Sequence, residues 1–110
     1  MSPNAELYHA IREHSGLDWQ SMVDAGNHGA DGGFSGFIYT LDCAEFYRKN
    51  SAIIDDMMSE RADDMGYDNV AAMWASFGRS DMLADRDSRD CLFAWFALEE
   101  TGRWIDGLRS

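Results

Sequence analysis

The chain has 110 residues, of which 45% are hydrophobic and 13% aromatic, enough for one self-supporting core and too few for two, and a composition that excludes a disordered chain. Twenty acidic residues oppose nine basic ones, for a formal net charge of −11, and Lys49 is the only lysine. That field repels phosphate backbones and anionic membrane surfaces, which argues against direct nucleic-acid or lipid-surface binding, and it attracts a basic partner.

In chain order, Ser2-Pro3 reads as a hydroxyl cap followed by proline at the first helical position, and Leu7, Ala10, Ile11 and His14 mark one face of a helix closed by Gly16. Asp18 caps a second, short helix with Trp19, Met22 and Val23 inward, ending near Gly26. Residues 26–40 hold five of the ten glycines, interleaved with Phe34, Phe37, Ile38 and Tyr39, and predict an ordered loop with Phe34 and Phe37 packed on the bundle and room for one short β element at 34–40.

Asp42-Cys43-Ala44-Glu45 resembles a capping box opening a further helix, with Phe46 inward, and Asn50-Ser51 permits a break with Ser51 as the next cap. Ile53, Ile54, Met57, Met58, Ala62 and Met65 then form a broad apolar stripe stopped by Gly66. Asp68 caps a shorter helix in which Val70, Met73, Trp74 and Phe77 recur at helical spacing, stopped by Gly78. The tract from Arg79 to Asp90 alternates in sign and reads as solvated. A last helix from about Asp87 to Gly107 buries Leu92, Phe93, Trp95, Phe96 and Trp104.

The expected architecture is a mainly α, single acidic domain over 1–110, a small bundle of five or six helices. Cys43 and Cys91 sit alone in apolar patterns and read as reduced, buried thiols. No basic-then-apolar leader precedes the first amphipathic pattern, and no run approaches the ~20 apolar residues of a bilayer span, so the cytosol is the expected location.

Asp56, Glu60 and Asp64 repeat every four residues, which sets them on one helix face at intervals of about 6 Å, comparable to phosphates along a DNA strand. With Asp55 and Asp63 beside them, and with the second acidic group Asp85, Asp87 and Asp90, they are the candidate partner-binding residues. A plain solvated face is the competing account.

The other constellations fit poorly. Asp63, Asp64 and Asp68 suggest a magnesium site only weakly, because Gly66 ends the helix between them and Asp68 is better explained as the next cap, and Asp81, Asp85, Asp87 and Asp90 lack the spacing and central glycine of a calcium loop. Glu6-x-x-His9 has no second such pair for a di-iron site, and the cysteines have no zinc spacing. His28 with Asp31 and Ser35 lacks an oxyanion hole, and the glycine run lacks the lysine of a phosphate cradle. Neither a cofactor nor a metal is expected, and the chain reads as a non-enzyme.

The stretch His28-Gly-Ala-Asp-Gly-Gly-Phe-Ser-Gly-Phe-Ile-Tyr-Thr with Phe46-Tyr47-Arg48-Lys49 resembles small uncharacterised acidic proteins of phages and plasmids. In size, charge and lack of an active site the chain is similar in type to anti-CRISPR and antirestriction proteins, many of them DNA mimics. That resemblance implies a mobile-element inhibitor of a host defence complex, with a CRISPR effector or nuclease as partner and an acidic face on its basic groove. The alternatives are an antitoxin or immunity protein covering a basic toxin, and a small enzyme built on the loop around His28.

Overall fold

The computed structural model describes residues 2–16, 20 and 43–109. The expected helix after Asp18, the glycine-rich loop with its β element at 34–40, the packing of Phe34 and Phe37, and the His28 group lie outside the described residues. Within them the protein is a small all-helical bundle with no strand: α1 (Pro3–Ser15), α2 (Cys43–Lys49), α3 (Ser51–Asp64), α4 (Val70–Ser76), α5 (Ser80–Leu83) and α6 (Arg86–Arg109).

The first helix begins and ends where its sequence dictates. The Ser2 side chain accepts from the Ala5 N–H at 3.2 Å, Pro3 occupies the first turn, and Gly16 closes the helix at φ 71° with its N–H on the Arg12 carbonyl. Leu7 and Ile11, one turn apart, are fully buried, and the His14 ring lies 5.6 Å from that of Phe46 on α2.

Between α2 and α3 the break is made by Asn50. Its side-chain amide donates to the Phe46 carbonyl at 3.0 Å, and Asn50, not Ser51, takes the cap position of α3, without a side-chain capping bond. Ile54, Met58 and Ala62 then recur every four residues and are buried, with Ile53 and Met57 half-buried beside them.

The two glycine stops are complete Schellman motifs. After α3, the Gly66 N–H donates to the Asp63 carbonyl and Tyr67 N–H to that of Ala62; after α4, Gly78 N–H donates to Ala75 and Arg79 N–H to Trp74. Both glycines hold positive φ, 84° and 74°, which a side chain would strain. The cap of α4 is Asn69, whose side chain accepts from Ala72 N–H at 2.8 Å, so Asp68 stands one residue outside the expected place.

The tract from Arg79 to Asp90 is not a solvated connection. It folds as the one-turn α5, which lays Met82 and Leu83 on the core, and as the first turn of α6, where Asp85 accepts from Ser88 N–H at 2.9 Å. The α6 helix packs against α1, α2, α3 and α5, so it is buried on several faces at once: Leu92, Phe93, Ala94, Phe96, Ala97, Leu98 and Ile105. Trp95 and Trp104, expected inside, are half-buried at its flanks. Cys43 is buried, Cys91 half-buried, and neither forms a disulfide. No helix among the described residues is long and apolar enough to cross a membrane.

The junction of α2 and α6 carries a buried carboxylate. Asp90, 1% exposed, accepts from Arg48 at 2.8 Å and from Arg89 at 3.0 Å, while Arg48 also reaches the exposed Asp87 at 2.5 Å. Removing the charge of a desolvated acceptor paired with two arginines weakens three charge-assisted hydrogen bonds, one from Arg48 and two from Arg89. Asp90→Asn is therefore expected to cost about 1–3 kcal/mol in denaturant unfolding. Asp87→Asn, on the same arginine but in solvent, is expected to leave the midpoint where it was, and equal midpoints for all three proteins would refute the clamp.

Candidate functional site

The predicted acidic residues separate into those the fold employs and those it leaves in solvent. Asp55 accepts from the Tyr47 hydroxyl at 2.5 Å, tying α3 to α2; burial, and then this bond to a carboxylate, push the Tyr47 phenol well above its ordinary range. Asp85 caps α6, and the Ser88 hydrogen bonds hold its carboxyl below the usual value. Asp87 and Asp90 are partners of Arg48.

The group Asp85, Asp87 and Asp90 is thus no free acidic surface, because one member is a cap, one is paired, and one is inside the protein. Asp56, Glu60, Asp63 and Asp64 remain exposed along the outer face of α3, with no ion pair or side-chain hydrogen bond among the described residues. The nearby cation, Arg61, is turned to Glu100 on α6 at 2.7 Å.

A second feature lies where α3, α4 and α6 meet: a cavity of about 380 Å³. Its wall is aromatic. Trp74, 4% exposed, meets Phe77 and Phe96 edge-on, with centroids 6.0 and 6.2 Å away, and Trp95 at 6.5 Å. Its indole N–H has no acceptor among the described residues, an arrangement that costs roughly 1–3 kcal/mol for a buried donor.

Three arginines stand in this wall. Arg61 and Arg103 are both held by Glu100, and Arg103 also by Glu99. Arg79 has no carboxylate partner among the described residues; its guanidinium lies 5.8 Å from the centroid of the Trp95 ring. Met65 and Phe77, 46% and 50% exposed, are two of the three exposed large hydrophobic residues among those described, and both line this cavity. The helical spacing of Trp74 and Phe77 predicts two core residues; Trp74 is buried in the core and Phe77 is half exposed, and Gly78, which ends α4, sets Arg79 immediately after it. No three His, Cys, Asp or Glu side chains among the described residues gather as a metal-binding group.

Burial pushes the Glu99 carboxyl above its usual 4.5, and its pairing with Arg103 offsets this only in part. A carboxyl raised in the native state holds its proton more readily folded than unfolded, so its contribution falls as pH rises from the ordinary carboxylate range through the raised native value. At neutral pH the charged Glu99 is thus a cost. Glu99→Gln is expected to melt at or above the wild-type temperature at neutral pH, with the gap closing in acid; a lower Tm at neutral pH would reverse the sign of this effect.

The described residues form an all-helical bundle with an exposed acidic face on α3 and an aromatic, arginine-lined cavity between α3, α4 and α6. The chain belongs to the DUF7222 family, a domain of unknown function, whose profile matches residues 7–107. No curated protein and no solved structure matches it.

Proposed function

We propose that the protein is a binding domain that offers the outer face of α3 to the basic, nucleic-acid-binding surface of a protein partner, as an inhibitor of a host defence complex of the anti-CRISPR kind would. The observation that carries this reading is the set Asp56, Glu60, Asp63 and Asp64: exposed, adjacent on one helix, and without an ion pair among the described residues. Asp56, Glu60 and Asp64 follow one another at about 6 Å, a spacing at which like charges destabilise an isolated helix by a few tenths of a kcal/mol per pair. A partner's arginines and lysines would relieve that repulsion, and the net charge of −11 would speed the encounter.

Capture of partners from a bacterial lysate on the immobilised full chain tests this directly. Retention is expected to fall steeply between low and high salt, because exposed charges are screened over about 10 Å at 0.1 M. The triple change Asp56→Lys, Glu60→Lys, Asp64→Lys is expected to abolish retention of the salt-sensitive partner and of no other, with thermal stability unchanged or slightly higher. A partner retained equally by both proteins would place the interface elsewhere. A small basic toxin as the retained partner would make the protein an antitoxin using the same face.

A further inference from the structure

We propose that the cavity between α3, α4 and α6 is a binding site for a small aromatic carboxylic acid, with its ring among Trp74, Phe77 and Phe96 and its carboxylate on Arg79. At about 380 Å³ the space is within the range of small-molecule pockets, roughly 300–1,000 Å³, and far too small for a folded partner. Its composition has the form such pockets take, an apolar and aromatic wall with a few polar groups that fix orientation.

The ring contacts of Trp74 select an aromatic occupant over an aliphatic one. Trp74 meets Phe77 and Phe96 nearly perpendicular, at 76° and 84°, so faces and edges are both offered to a planar guest. Phe77 and Met65 are both about half exposed and both line this cavity, so they offer apolar area that a guest would cover.

The charges select a monoanion. Arg61 and Arg103 are already held by Glu100, whereas Arg79 carries a planar, fork-like donor set with no carboxylate on it among the described residues. One such fork matches one carboxylate. A phosphate dianion would in addition face Glu99 and Glu100 in the same wall, which disfavours it. The Schellman turn after α4 fixes Arg79 relative to the ring wall, since its N–H is bonded to the carbonyl of Trp74 itself at 3.0 Å. The site is separate from the acidic outer face of α3 and does not depend on the function proposed for it.

Calorimetric titration of the full chain with naphthalene-2-carboxylate and with the uncharged naphthalene-2-carboxamide tests the proposal. The acid is expected to bind saturably with one site and at least about tenfold more tightly than the amide, the scale of one hydrogen-bonded charge pair. Arg79→Gln is expected to remove that preference while leaving amide affinity in place, and Arg86→Gln, an exposed arginine at the start of α6, to change neither. Phe77→Asp, at a half-exposed position that tolerates a polar side chain, is expected to weaken the acid more than the amide, and it carries the test should Arg79→Gln fail to fold. Absence of saturable binding, equal affinity for acid and amide, or an acid preference that persists in both variants would overturn the assignment.

Discussion

Burial of the Asp90 carboxylate is the constraint around which the bundle is arranged. A carboxylate taken out of water is tolerable only if cations and hydrogen-bond donors meet it, and in a chain of net charge −11 cations are scarce. Two of the nine basic residues, Arg48 from α2 and Arg89 from α6 itself, are committed to it. Because Arg48 lies 42 residues before Asp90, satisfying the carboxylate fixes how α2 lies against α6. Apolar packing alone would allow α2 to slide or rotate along that helix, since Phe46 and Tyr47 would find apolar neighbours in several registers. A hydrogen-bonded ion cluster with fixed geometry admits one.

The same scarcity shapes the rest of the surface. Arg61 on α3 is also drawn to α6, by Glu100, and Arg103 is held on α6 by Glu99 and Glu100. The long helix therefore gathers arginine around its own buried and half-buried acids. The outer face of α3 keeps its carboxylates, while the cation in their midst, Arg61, gives its hydrogen bond to Glu100. An acidic face on one side and an arginine-rich cavity on the other follow from a single distribution of charge, with α3 forming part of both.

How much of this was legible in the sequence depended on range. The first helix was readable end to end, because Ser2, Pro3 and Gly16 each act within four residues of themselves. The stops at Gly66 and Gly78 were readable for the same reason. The caps at Asn50 and Asn69 were each misplaced by one residue, since Asn-Ser and Asp-Asn both offer two capping side chains in a row. Which of them takes the cap position is a matter of backbone angle, not composition: Asn69 reaches the Ala72 N–H, whereas Asn50 caps α3 with no side-chain capping bond. The α5 helix escaped because one turn is too short to show a period. The Asp90 cluster escaped because its key partner is far away in sequence and its neighbours, from Arg79 onward, alternate in charge as a solvated segment does.

Met65 and Phe77 show most clearly why the cavity could not be read in advance. Each continues an apolar stripe at the correct spacing, Met65 after Met58 and Ala62, Phe77 after Met73 and Trp74. Each is also the C-cap of its helix, the last residue before a glycine in the left-handed conformation. The helical phase that makes spacing informative ends at that position, so the side chain is no longer obliged to follow the buried face. Both side chains accordingly remain about half exposed and line the cavity rather than filling the core. The two Schellman turns thus do more than end helices: by breaking the phase one residue after an apolar position, they leave hydrophobic area beside Trp74 and set Arg79 immediately after Gly78. The aromatic wall is a product of the core, and its opening is a product of the caps.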